Sequence, residues 1–193
     1  MYIFFEIVSL FFLGYVVGAI PVGFLVARLR GISDIREHGS GTSGATNVAR
    51  LLGFKYFFLI FFLDAGKAYA LTFFLLKKDF SSYALFVFII ALVFGNIYPV
   101  FLGGKGGKGF ATTLGIVAAL SPLLFTFIFV LWIVVFAETK TVGSASVIAL
   151  VLLPVFSFIL SFFSDFDFFI FSLPITGLCL YAHRAHIKNL LKL

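Results

Sequence analysis

The chain has 193 residues, of which 62% are hydrophobic and only 11% charged, with a mean hydropathy of +1.19 and a formal net charge of +6. So much apolar surface excludes a soluble globular domain and makes the bilayer the solvent. The basic residues lie in short segments beside apolar runs, which excludes nucleic acid and points to anionic headgroups or phosphorylated substrates.

In chain order, the first apolar run is Ile3 to Leu29. Its start carries Glu6 and no Lys or Arg before Arg28, so it reads as a retained span rather than a secretory signal. It leads to a segment of small residues, hydroxyls and an amide, Gly39-Ser40-Gly41-Thr42-Ser43-Gly44-Ala45-Thr46-Asn47-Val48-Ala49-Arg50. Glycines let successive backbone N–H groups point into one concavity, hydroxyls add donors, and an arginine clamps two phosphate oxygens at once. A flexible surface loop is the bland alternative. Arg50, placed just ahead of the next span, favours an anion site.

The second span, Phe54 to Leu76, holds Asp64 and Lys67 three residues apart. On one helix face they neutralise each other, so an ion pair that holds the bundle is the favoured reading, with a polar floor under a site as its rival. The third span is Ser82 to Leu102. It runs into Gly103-Gly104-Lys105-Gly106-Gly107-Lys108-Gly109, five glycines in seven residues. This is not a nucleotide-hydrolysing P-loop, because Lys108 is followed by Gly109 rather than by Ser or Thr. Two lysines precede a helix start, where the macrodipole already disfavours cations, and a bound anion resolves the conflict.

The stretch from Phe110 to Ala137 is too long for one span, and Ser121-Pro122 breaks it into a short helix, Phe110 to Leu120, and a longer one, Pro122 to Ala137. The short piece must be tilted or shielded by neighbours. Lys140-Thr141-Val142-Gly143-Ser144-Ala145-Ser146 then opens the span Val142 to Phe163, and Phe166 to Ala182 is the last. Cys179 lies in that last span and serves packing. Beyond it, His183 and His186 stand three apart and so share a helix face, without the cysteine or carboxylate neighbours that would favour a metal site.

These spans predict an all-α integral membrane protein, a single domain over 1–193, with seven transmembrane helices, one of them short, and glycine-rich cytoplasmic loops. Under this topology Arg28, Arg30, Arg36, Arg50, Lys55, Lys105, Lys108, Lys140, Arg184, Lys188 and Lys192 share one side, with Lys77 and Lys78 on the other. The positive-inside rule makes the basic side cytoplasmic, together with the C-terminus, and leaves the N-terminus periplasmic or extracellular.

The polar segments together resemble the bacterial acyl-phosphate:glycerol-3-phosphate acyltransferase family, small polytopic enzymes of the inner membrane. The run from Gly39 to Arg50 is similar to that family's Gly-Ser-Gly-Asn-x-Gly-Ala-Thr-Asn-x-x-Arg signature, with Thr42 in place of Asn. Lys105-Gly106-Gly107-Lys108-Gly109 with Ala111-Thr112 matches its Lys-Gly-Gly-Lys-Gly-x-Ala-Thr block. A Val-Ser-Leu-Ala-Ser motif is met loosely, Gly143 replacing the first serine and Ser146 matching the second. The final His-Arg-x-Asn-Ile becomes His183-Arg184-Ala185-His186-Ile187, and Asn96 stands where the family has His. The apparent exchange between Asn96 and His186 suggests that the two touch.

The resemblance implies transfer of an acyl chain from acyl phosphate to the sn-1 hydroxyl of glycerol 3-phosphate, for phospholipid biosynthesis, with no cofactor, no metal and no obligate protein partner. It implies catalytic roles for Lys108, Arg50, His183 and Ser146. Substrate binding falls to Ser40, Gly41, Thr46, Asn47, Lys105, Gly106, Gly107, Thr112, His186 and Asn96. Membrane lipids are the remaining partners. The competing class is a transporter for organic phosphates, which would show an internal repeat and a site at mid-depth; the sequence shows neither.

Overall fold

A computed structural model of the chain describes residues 2–162 and 167–191, all-helical apart from turns and loops. It divides into two compact units, Met1–Ile116 and Val117–Leu193.

The first unit begins with α1 (Tyr2–Ala19) and α2 (Val22–Leu29). The sequence reads Ile3 to Leu29 as one helix, and the structure corrects this. Pro21 has no N–H to give and pushes Ile20 out of the helical region, so the helix breaks there while Tyr2–Leu29 stays one apolar segment long enough to cross. Next come α3 (Ala45–Leu52), α4 (Phe54–Leu76) and α5 (Ser82–Ile97), with single 3-10 turns at Ile35–Glu37 and Val100–Leu102. The Gly39 to Arg50 segment is only half loop, since Ala45 onward is helical. The third span keeps its expected bounds, Ser82–Leu102, with the α-helix ending at Ile97 because Pro99 follows.

Helices α1 and α5 pack through glycines. A Cβ on Gly14 would lie 2.5 Å from Phe88 O, one on Gly18 2.1 Å from Leu92 O, and one on Gly95 2.3 Å from Tyr15 O. Small residues four apart let two backbones approach where apolar burial supplies no drive between helices. The boundary between the units falls within α6 (Phe110–Leu120), and Gly115 seats it on α4: a Cβ there would be 2.1 Å from Ala65 O. Leu114, Ile116 and Val117 are buried. The short helix is thus shielded, as its length requires.

The second unit holds α7 (Pro122–Thr139), α8 (Val142–Ser161), α9 (Asp167–Ala182) and α10 (Arg184–Leu191). The expected break is present, with Ser121 Oγ accepting from Leu124 N–H at 3.3 Å as the α7 cap. Pro154, inside α8, cannot donate to Leu150 O; Thr176 Oγ1 of α9 donates to it instead, at 3.3 Å. Ser157 and Ser172 add a hydroxyl pair at 3.0 Å between the same two helices. Such side chains restore what a proline removes from a helix in lipid. The expected span ends at Phe163 and Phe166 lie outside the described residues.

By length and composition five helical segments suffice to cross a membrane: Tyr2–Leu29, Phe54–Leu76, Ser82–Leu102, Pro122–Thr139 and Val142–Ser161. The bent pair Phe168–Ala182 and Arg184–Leu190, which meet at 69°, makes a sixth if it is one span. Phe110–Leu120 is apolar but short. Phe4, Phe62 and Phe101 are each at least 62% exposed, an outward face that suits acyl chains rather than water.

Candidate functional site

Two glycine-bearing loops of the first unit are laced together. Asp34 opens the first, its carboxylate accepting from Arg36 N–H at 2.9 Å and from the Arg36 guanidinium Nε at 2.8 Å. The guanidinium beside it holds the Asp34 carboxyl down at about 2, with help from the backbone N–H. Arg36 also donates through Nη1 to Leu102 O at 2.6 Å, so it ties the first loop to the threshold of the second. Neither residue was a sequence candidate. The nearest signal was the acid two positions ahead of a base, which surface loops often show.

Asn47, in the first turn of α3, organises the loop that precedes it. Its Oδ1 accepts from Ser40 N–H at 2.8 Å, and its Nδ2 faces the carbonyls of Thr42, His38 and Ile35 at 2.8, 2.9 and 3.1 Å. The amide is buried and committed to backbone, so Asn47 shapes the loop. Gly39, at φ +56°, is needed twice, because a Cβ there would lie 2.3 Å from Asn47 Oδ1. Gly41 shares the left-handed backbone, Ser40 and Thr42 hold their hydroxyls 3.0 Å apart, and Thr46 is half-buried one residue before Asn47.

The second loop folds back on the end of α5. Gly106 N–H donates to Ile97 O at 3.1 Å, Gly107 N–H to Asn96 O at 2.9 Å, and Ser43 N–H to Gly106 O at 3.1 Å. This last bond joins the loops. Lys105 is exposed, while Lys108 is half-buried. Burial, and then the charge of Arg50, push the Lys108 ammonium below the usual lysine range. Arg50 Nη1 also lies 3.7 Å from the point where a Gly39 Cβ would stand. Among the described residues neither Lys108 nor Arg50 enters a salt bridge. Lys108 and Arg50 are thus two cations close enough to feel each other beside the joined loops, an arrangement that an anion would relieve. Thr112, two residues into α6, is fully buried with its Oγ1 unpaired among the described residues.

Behind this loop, Asn96 Nδ2 donates to Asp64 Oδ1 at 3.5 Å. Lys67 Nζ lies 2.7 Å from Asp64 Oδ1, so the expected ion pair forms.

In the second unit, Ser146 is buried and its Oγ accepts from Trp132 Nε1–H at 3.2 Å. His183 sits at the bend between α9 and α10, where its Nδ1–H donates to Cys179 O at 2.7 Å. Because a carbonyl only accepts, Nδ1 carries a proton. The bend also means that His183 and His186 do not share one continuous helix. His186 Nε2 lies 3.4 Å from Ser144 Oγ, which accepts from Thr141 Oγ1 at 2.7 Å. A Cβ on Gly143 would come within 2.6 Å of His186 Nε2. The two departures at 143 and 186 are therefore mates in space. Asn96 and His186, expected as a pair, each find a partner in their own unit.

The model of a protein family described as glycerol-3-phosphate acyltransferase matches residues 8–193. A glycerol-3-phosphate acyltransferase of Aquifex aeolicus is 39% identical over 92% of this chain and 91% of its own length. One from Thermosipho melanesiensis is 39% identical over 96% and 90%. Among solved structures, the crystal structure of PlsY, an integral membrane glycerol 3-phosphate acyltransferase, in its glycerol 3-phosphate form is similar with a TM-score of 0.88. That likeness has 38% identity over 96% of this chain and 92% of the other. The lysophosphatidic acid form gives a TM-score of 0.86 at 37% identity, over 96% and 91%.

Proposed function

Because this chain belongs to the glycerol-3-phosphate acyltransferase family, we propose that it moves an acyl chain from an acyl phosphate to the sn-1 hydroxyl of glycerol 3-phosphate. The products are lysophosphatidic acid and inorganic phosphate, and the step belongs to phospholipid biosynthesis. The observation that carries this reading is the pair of uncompensated cations, Lys108 and Arg50, over two interlocked glycine loops. Both substrates bear a phosphate. A donor that already carries a good leaving group needs a protein that orients it and stabilises developing charge.

The hydroxyl oxygen attacks the acyl carbonyl carbon, the carbonyl carbon–oxygen bond to phosphate breaks, and phosphate leaves with the electron pair. The hydroxyl proton passes to His183 Nε2 or to an oxygen of the donor phosphate; the Nδ1–H bond to Cys179 O supports His183 as acceptor. Lys108, Ser40 and Ser146 grip the acyl phosphate. Arg50, Lys105 and His183 serve glycerol 3-phosphate, with His186 as an orienting group. Gly41, Thr46, Gly106, Gly107, Thr112, Asn96 and Asn47 shape or line the binding loops. The whole of 1–193 works as one domain in the bacterial inner membrane, with seven helices counting Phe110–Leu120. Its loops and C-terminus are cytoplasmic and its N-terminus lies on the far side.

The test is phosphate release by purified protein in nanodiscs given palmitoyl phosphate and glycerol 3-phosphate. Turnover with palmitoyl phosphate and none with palmitoyl-CoA is expected. Turnover with the thioester alone, or only on addition of a divalent metal, would overturn the donor and the mechanism.

A further inference from the structure

The ion pair inside α4 does more than neutralise itself. Pro21 diverts the backbone at the end of α1, where Val22 N–H turns to Ile20 O at 3.0 Å instead of to Gly18 O, its partner in an unbroken helix. Lys67 Nζ donates to Ile20 O at 2.9 Å and reaches Gly18 O at 3.4 Å. It therefore caps the break from which α2 starts. Gly23 of α2 in turn abuts the first loop so closely that a Cβ would lie 1.9 Å from Ser43 O.

The carboxylate works in the other direction. Asp64 Oδ1 accepts from Asn96 Nδ2 at 3.5 Å, and the backbone oxygens of Asn96 and Ile97 accept from Gly107 and Gly106. Gly106 O receives Ser43 N–H, which closes a ring: Lys67, the α1–α2 break, Gly23, Ser43, Gly106, Asn96, Asp64 and back to Lys67. Ionisable side chains in a span are costly unless they serve a purpose. Resting on the reading above, we infer that Asp64 and Lys67 are positioning residues that set the spacing of both phosphate loops. Lys67 acts on the first through the α1–α2 break and Asp64 on the second through Asn96.

The experiment compares Lys67→Met, Asp64→Asn, Asn96→Ala and the exchange Asp64→Lys/Lys67→Asp in nanodiscs. Four quantities are read: kcat and KM for glycerol 3-phosphate, the thermal midpoint, and the separation of spin labels on His38→Cys and Phe101→Cys, two exposed positions flanking the loops. The single variants should change the label separation, raise KM and lower kcat, together losing roughly ten- to a hundredfold in kcat/KM, as misplacement by an ångström does. The exchange should recover the thermal midpoint without recovering turnover, because a carboxylate at position 67 has no proton for Ile20 O and an ammonium at position 64 cannot accept from Asn96. Asn96→Ala leaves the ion pair intact and should still alter the second loop. If the exchange recovers both stability and turnover, or the single variants keep label separation and kinetics, the pair merely neutralises itself and the inference falls. Should the wild type fail to use acyl phosphate at all, the functional reading fails instead, and the label separation alone still decides the positioning.

Discussion

Gly106→Ala is the sharpest perturbation available to the loop geometry. The new Cβ would lie 2.2 Å from Asn96 O, 2.4 Å from Pro99 Cδ and 2.9 Å from Ile97 O. Two of these are backbone oxygens and the third a ring carbon beside them, so none can swing aside and the loop itself must lift. Lifting it breaks up to three hydrogen bonds: Gly106 N–H to Ile97 O, Gly107 N–H to Asn96 O and Ser43 N–H to Gly106 O. At about 0.5 to 1.5 kcal/mol net for each, the loops lose roughly 1.5 to 4.5 kcal/mol of mutual fixation. At 1.36 kcal/mol per decade this corresponds to about one to three decades in rate. Gly104→Ala is the control: its φ of +78° makes alanine strained, yet nothing lies within 4 Å of the new methyl. The left-handed penalty alone is about 1 to 2 kcal/mol. Phosphate-release kinetics on both variants, alongside thermal midpoints, decide the matter. Gly106→Ala within threefold of wild type, or less impaired than Gly104→Ala, would refute the claim that the interlock of the two loops builds the site.

Lys108→Ala and Arg50→Ala should each remain folded and lose about one to two decades in turnover, since each removes a charge-assisted contact of roughly 1.5 to 3 kcal/mol; near-wild-type kinetics in both would reduce these residues to topology signals. Burial and Arg50 both favour the neutral Lys108 amine, so the alkaline limb of the pH–rate profile should fall below the range of an ordinary lysine. Arg50→Gln should shift that limb upward without restoring it fully, and a limb that stays put would remove Arg50 as a cause. Gly143→Ser should drive His186 off Ser144 and lower activity, whereas Gly143→Ser with His186→Asn should recover it; additive losses in a double-mutant cycle would show the two positions to be independent. A cysteine at the exposed Thr141 should escape a membrane-impermeant thiol reagent in intact cells and react in inverted vesicles, with buried Cys179 silent in both. Labelling in intact cells would reject the seven-helix topology.

Much of the fold was legible because apolar length and proline position are local signals. Ser121-Pro122 announced its break and Phe110–Leu120 its shortness. The same chemistry at Ile20-Pro21 is harder to read, since an apolar run long enough for one span continues on both sides and hides the break in the helix within it. The two loops were legible from their glycines, hydroxyls and bases. Their interlock was not, because Ser43 N–H to Gly106 O is a backbone bond between positions 63 apart, and no residue type betrays it. Asn47 could be read as a donor to ligand because its side chain suits one; only the carbonyls around it reveal that it is occupied. Trp132 behind Ser146 and the Gly143–His186 contact are likewise tertiary facts, carried by packing between helices rather than by pattern along one.

The central claim is that Arg50 and Lys108 hold the two substrate phosphates side by side on the interlocked loops, and equilibrium binding tests that most directly. Isothermal titration of glycerol 3-phosphate into the protein in nanodiscs should give saturable binding that weakens with added salt, since the pair acts largely through charge. Binding should weaken about ten- to a hundredfold in Arg50→Ala and at least as much in Arg50→Ala/Lys108→Ala. The same affinity in wild type and double variant, in folded protein, would contradict the account.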